Sequence, residues 1–174
     1  MEIGNLLYEY LLETGFTEDS AKFINMAILF SVTIFAAFLV HYLIRKILLT
    51  VFTHFTSKTK SNFDDLLIKN KAPRNIAHII PLIFTLKFIP FVFKDFPYLE
   101  NFVLKGLQVF TIILILWIAR SLLNTIKDYL KTLPNLKDKP IDSYIQVFMI
   151  FAWAIGILSA FAIITGIEFI KFIT

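Results

Sequence analysis

The sequence predicts an all-α membrane protein with four transmembrane helices, two of which extend into the cytoplasm, and a short N-terminal amphipathic helix. Hydrophobic residues make up 57% of the 174 positions, and the mean hydropathy is +0.74. An ordinary soluble domain is only about 45–50% apolar. In addition, four apolar runs are each long enough to cross a hydrocarbon core of about 30 Å as a helix.

Composition also narrows the function. The chain has no cysteine, which excludes disulfides, cysteine-ligated zinc and thiol catalysis. Its net charge of +4 comes from basic residues between the apolar runs, a pattern that indicates membrane topology rather than nucleic-acid binding. The sequence has no glycine-rich phosphate loop, serine-nucleophile motif or Walker motif. We therefore expect a protein that is not an enzyme, with no cofactor and no nucleic-acid partner.

Residues 1–16 predict an amphipathic segment on the periplasmic side of the membrane. Their apolar residues recur at helical spacing on one side, with acidic residues elsewhere: Ile3, Leu6, Leu7, Tyr10 and Leu11. The acidic start is unlike a signal peptide, so we expect the segment to be retained. Gly15 is a suitable helix stop, and Thr17 or Asp19 a suitable cap for the next helix.

Residues 17–174 are predicted to form one four-span domain, with spans at about 23–44, 76–93, 103–123 and 144–167. The first helical pattern continues past Arg45 to about Phe55. The third continues past Arg120 until Pro134. Both helices should therefore extend beyond the bilayer.

Prolines affect the second span and the connections. Pro81 and Pro90 lie within the second span and predict kinks. We assign Pro97, together with Asn101, to a loop before the third span. Pro73 predicts a chain break, and Pro140 suits the first turn of the fourth span.

Two connections carry most of the basic residues, and we call residues 45–74 the first elbow and residues 120–139 the second elbow. The other side offers little besides Lys22 and Lys94. The positive-inside rule then places both elbows in the cytoplasm and both termini outside. Seven basic residues are predicted to contact the anionic inner leaflet: Arg45, Lys46, Lys58, Lys60, Arg74, Arg120 and Lys127.

The histidines and the aspartate pair give little indication of a metal site or a catalytic site. His41, His54 and His78 fall on different elements, with no carboxylate at ligand spacing, so no metal site is expected. Asp64 and Asp65 point about 100° apart on a helix, which favours capping of the elbow helix and pairing with Lys69 or the second elbow over acid–base catalysis.

Two features lie within the predicted spans. Lys87 is an intramembrane charge, for which we weigh snorkelling to the outer surface against pairing or a place in a pathway. Ala152, Gly156 and Ala160 form a small-residue stripe that permits close helix packing. Its partner is either another span of this chain or a helix of a neighbouring subunit.

Three pieces together resemble one family. These are the elbow FDDLLIKNKAPRNIAHIIP, the elbow and span LPNLKDKPIDSYIQVFMIFAWAIGILSAFAIITG, and the order of the helices between them. They resemble the N-terminal membrane part of bacterial mechanosensitive channels of the small-conductance superfamily, in the five-span miniconductance-type branch. The resemblance covers nearly the whole chain and is most specific over residues 139–166.

The resemblance implies a tension-sensing domain in the bacterial inner membrane that protects the cell against hypo-osmotic shock. It also implies a following fifth helix that lines the pore, a cytoplasmic β-rich domain and a homo-heptamer. On this reading Thr174 is a truncation, and the stripe of Ala152, Gly156 and Ala160 faces the missing pore helix. The alternative is a non-conducting membrane scaffold or assembly protein. Membrane lipids are the expected partners of the tension-sensing domain.

Overall fold

A computed structural model describes residues 3–56, 62–136 and 139–167, and within these ranges the chain is helical with no strand. Seven helices occur there: α1 (Ile3–Glu13), α2 (Glu18–Thr56), α3 (Phe63–Lys69), α4 (Ala72–Ile76), α5 (Ile79–Val92), α6 (Pro97–Leu130) and α7 (Ile141–Thr165).

Four segments are long and apolar enough to cross a membrane, and they confirm the predicted fold class. They are Glu18–His54, Ala72–Val92, Pro97–Leu130 and Ile141–Thr165. With 39 residues, α2 is about 58 Å long at 1.5 Å per residue. With 34 residues, α6 is about 51 Å long. Both exceed the hydrocarbon thickness of about 30 Å, so each helix extends beyond its span.

The spanning helices follow one another as a row. Among the described residues, the extensive contacts between them are those of α2 with α5, α5 with α6, and α6 with α7. The short helices α3 and α4 each contact both α2 and α6. Helices α3 and α4 therefore lie between α2 and α6, which otherwise share little surface.

The buried core is small and lies at the end of the row where α5 runs into α6. Ile89, Val92 and Phe93 form its centre, and Phe30 of α2 meets the Phe93 ring edge-on at a centroid distance of 5.4 Å. Many other large apolar side chains are exposed on helix faces; Phe38, for example, is 66% exposed. Such a surface suits a solvent of lipid rather than water.

The N-terminal helix is docked as well as amphipathic. It contacts α2 and buries Leu11. The Lys94 ammonium also donates a hydrogen bond to the Asn5 side-chain oxygen at 2.9 Å. Leu6 and Tyr10 remain largely exposed, so part of the apolar side stays available to a membrane surface. Gly15, with φ of +90°, ends the turn after α1, as predicted for a residue that tolerates the left-handed region.

Several proline assignments need correction. Pro97 begins α6, and Asn101 lies within that helix rather than in a loop. Proline fits there because the first-turn N–H has no helical partner. For the same reason Pro73 lies in the first turn of α4. The predicted chain break comes just before it, between the end of α3 at Lys69 and the start of α4 at Ala72. The second span consequently consists of α4 and α5 with a turn at residues 77–78, and Pro90 lies inside α5.

The fourth span packs on α6 through its small residues. Gly156 is buried, and a Cβ at this position would lie 2.8 Å from Leu116 Cδ1 and 3.3 Å from Ile112 Cγ2 of α6. Ala152 and Ala160 are half-buried. Gly156 therefore faces another span of this chain, which corrects its expected orientation toward a missing helix.

Substitution Gly156→Leu should destabilise the α6–α7 pair by about 1–3 kcal/mol, the usual cost of overpacking a tight contact. Thermal unfolding in a neutral detergent measures the effect. Gly106→Leu is the matched control, because a Cβ at Gly106 meets nothing within 4 Å. Equal stability of the two variants would contradict the close approach at Gly156.

Candidate functional site

A cleft opens at the end of the row that carries the elbows. Helix α5 starts only at Ile79, whereas α2 and α6 continue past this level. The short helices α3 and α4 fill part of the space between them and leave a cleft of about 840 Å³. Its walls come from α2, from residues 69–78 and from α6. We call it the elbow cleft.

All three arginines of the chain line the elbow cleft. Arg45 comes from α2, Arg74 from α4 and Arg120 from α6. Lys69 and Lys71 add two more positive charges, and among the described residues no aspartate or glutamate lines the cleft. Each arginine is exposed, and none has a hydrogen-bond or ion-pair partner within the described ranges. The cleft is thus a recess of concentrated positive charge.

The remaining lining of the elbow cleft is polar or aromatic. Asn70, Asn75, Ser121 and Asn124 supply amides and a hydroxyl, and Trp117 supplies an indole. These groups add hydrogen-bonding capacity beside the guanidinium groups. An anion with several acceptor oxygens is the ligand type that such a lining suits.

Two histidines meet at the wall of the cleft. The rings of His41 in α2 and His78 before α5 stack at a centroid distance of 4.2 Å with an interplanar angle of 17°. The His41 Nδ1 atom is buried and has no hydrogen-bond partner among the described residues. The sequence separated these residues onto different elements and did not indicate this contact. A metal centre remains unsupported, because the described residues contain no group of three or more candidate ligands.

The two short helices α3 and α4 are held on α6 by hydrogen bonds. The Asn75 side-chain amide donates to the Ser121 hydroxyl at 2.6 Å, and Ser121 is buried. The Asn70 amide donates to the Asp128 carboxylate at 3.1 Å. Lys69 lies 3.7 Å from the same carboxylate. These contacts fix Arg74 relative to Arg120.

The turn between α3 and α4 contains the only non-glycine residue with positive φ in the described ranges. Lys71 has φ of 64°, a conformation that is uncommon for lysine and costs about 1–2 kcal/mol. The turn lets both short helices contact α6. Nothing in the residue type indicates it, so the sequence could not predict this reversal.

The other predicted leaflet contacts lie in different places. Lys46 is exposed and does not line the cleft. Lys127 pairs with Asp142 at the start of α7 at 3.4 Å, and Lys131 pairs with the same carboxylate. Lys58 and Lys60 lie outside the described residues. Of the seven residues, therefore, the structure brings Arg45, Arg74 and Arg120 together.

Lys87 does not belong to this site. It lies in α5 with an exposed side chain. In the part of the chain that the structure describes, it has no hydrogen bond or ion pair. No intramolecular partner therefore supports the pairing interpretation.

Comparison of the chain with family models, curated proteins and solved structures finds no match.

The contact between Asn75 and Ser121 can be tested by a double-mutant cycle. Asn75→Ala and Ser121→Ala should each cost about 1 kcal/mol, because each leaves one hydrogen-bonding group unpaired. The double variant should cost much less than the sum of the two. Thermal or denaturant unfolding measures the free energy of unfolding of the two single variants and the double variant.

Ser31→Ala is the control for this cycle, since the Ser31 hydroxyl is exposed and bonds only to Ala27 of its own helix. Strict additivity of Asn75→Ala and Ser121→Ala would contradict the proposed docking contact.

Proposed function

We propose that this chain is the tension-sensing membrane domain of a mechanosensitive channel that protects a bacterial cell against hypo-osmotic shock. The observation that carries the proposal is the single row of spanning helices with apolar side chains exposed on its faces. A row presents far more of its surface to lipid than a closed bundle of the same helices would.

Lipid contact of this kind couples conformation to the bilayer. When a membrane is stretched it thins, and helices respond to mismatch by tilting or rearranging. Any difference in lipid-contact area between two arrangements becomes a free-energy bias between them under tension. The small core is centred on Ile89, Val92 and Phe93, and the described residues at the elbow end of the row form no comparable apolar cluster. We propose that this end rearranges.

The proposed topology follows the positive charges. We place the elbows on the cytoplasmic side of the bacterial inner membrane and the N-terminus on the outer side. The exposed basic residues then meet an anionic leaflet, where each contributes about 1 kcal/mol of attraction. We further propose that the domain acts within a homo-oligomer. The apolar face of α7 that does not contact α6 supports this, with Phe151 66% exposed and Ile157 63% exposed.

The proposal is tested by pressure-clamp recording from membranes that hold the complete gene product. Ile115, on α6, is 60% exposed. Ile115→Asn should raise the gating tension, because an amide weakens the apolar contact between α6 and lipid. Ile115→Leu is the matched control and should leave the threshold unchanged.

An unchanged gating tension in Ile115→Asn would contradict the sensor function. So would the absence of any tension-activated current from the complete gene product. The latter result would favour the alternative, a non-conducting scaffold.

A further inference from the structure

We infer that the elbow cleft is a binding site for a phosphate group, either a phosphate monoester or an anionic phosphodiester. The inference does not rest on the proposed tension-sensing function. It starts from residue type. The chain contains only three arginines, and all three line one cleft of about 840 Å³.

Arginine is the residue whose geometry matches phosphate. Its planar guanidinium presents paired N–H donors that bind two oxygens of one phosphate, and it stays charged at all ordinary pH values. Attraction to a charged membrane surface alone would be served equally well by lysine. Of the lysines that the structure describes, only Lys69 and Lys71 line the cleft. The arginines are thus segregated into the cleft, while most lysines lie elsewhere.

The guanidinium groups of the cleft lack carboxylate partners. The nearby carboxylates of Asp128 and Asp142 interact with lysines instead, Lys69 in the first case and Lys127 with Lys131 in the second. Within the described ranges, Arg45, Arg74 and Arg120 therefore remain free to bind an external anion. The three positive charges repel one another, and a bound phosphate would offset that repulsion by attracting each of them.

Uncharged groups complete the site. Asn124 offers an amide beside Arg120, and Trp117 lies on the same helix. The buried His41 Nδ1 atom, unpartnered among the described residues, belongs to a residue of the same lining. A phosphate oxygen or its bound water is a suitable partner for such a nitrogen.

Position determines what a bound phosphate would do. Arg45 lies on α2, Arg74 on α4 and Arg120 on α6. A single phosphate held by all three would connect α2 with α6, which share no extensive contact among the described residues. The ligand would thus stabilise the arrangement in which α2, α4 and α6 meet at the elbow end of the row.

Binding can be followed by Trp117 fluorescence. The chain has two tryptophans, so Trp153→Phe serves as the background for every variant. The purified full chain in a neutral detergent is titrated separately with short-chain phosphatidylglycerol and with inorganic phosphate. Saturable binding of the lipid alone assigns the cleft to a lipid headgroup. Saturable binding of inorganic phosphate at comparable affinity assigns it to a soluble phosphate compound.

Arg45→Gln, Arg74→Gln and Arg120→Gln should each weaken binding about tenfold or more, as expected for loss of a charge-assisted contact. Arg120→Lys should fall between wild type and Arg120→Gln, because it keeps the charge and loses the paired donors. Lys46→Gln is the matched control. It removes one positive charge beside Arg45 and should change binding by less than about twofold, since Lys46 does not line the cleft and a solvent-exposed charge outside a site contributes little.

A second measurement avoids substitutions. Phenylglyoxal modifies accessible arginines, and the saturating ligand should protect Arg45, Arg74 and Arg120 together in the wild-type chain. The inference is overturned if neither probe binds saturably, if Lys46→Gln weakens binding as much as the arginine variants, or if the ligand leaves all three arginines unprotected.

Discussion

The docking of α3 and α4 on α6 is the constraint on which the elbow end of the row depends. Asn75 donates to the buried Ser121 hydroxyl, and Asn70 donates to Asp128. These bonds hold α3 and α4 between α2 and α6, where α5 does not reach. The Phe63 ring of α3 also meets the Tyr129 ring of α6 edge-on at a centroid distance of 5.4 Å. Polar bonds and aromatic packing together thus set the position of these helices and the shape of the cleft.

The two ends of the row differ physically. At one end, aromatic and aliphatic residues around Ile89 and Phe93 pack α5 against α2 and α6. At the other end, positive charges face one another across a recess. Apolar packing is short-ranged and tolerates little displacement, whereas a charged recess changes stability with its occupant and with salt. A change in bilayer thickness would therefore move the elbow end more readily than the packed end. The proposed sensor and the proposed phosphate site meet in this cleft, although each can fail without the other.

The spans could be predicted because long apolar runs mark them in the sequence. Long apolar runs bounded by Arg45, Arg120 and Pro140 require helices in a bilayer, and the structure has them. The helix boundaries at Pro73 and Pro97 were not predictable in the same way. Proline is compatible with a loop and with a first helical turn, and only the surrounding fold decides. The small residue Gly156 indicated a close contact but not the identity of the neighbouring helix.

The elbow cleft itself was not predictable from the sequence. Positive charge marked Arg45, Arg74 and Arg120 as residues near a membrane surface, but charge alone does not reveal that three elements converge. That convergence depends on the left-handed conformation of Lys71 and on the pairing of Asn75 with Ser121, which are separated by 46 positions. The stacking of His41 on His78 likewise joins two separate elements. Each of these is a tertiary effect without a local sequence signal.

The most direct measurement of the central claim is the distance across the row in bilayers of different thickness. The chain has no cysteine, so spin labels can be placed at exposed Tyr42→Cys on α2 and Val147→Cys on α7 and their separation measured by double electron–electron resonance. We expect the distance distribution to shift between bilayers of 14-carbon and 22-carbon lipids, because the helices accommodate the mismatch. A control pair on adjacent helices, Ile115→Cys with Ile155→Cys, should stay constant. An identical Tyr42–Val147 distribution in both bilayers would contradict a tension-responsive row.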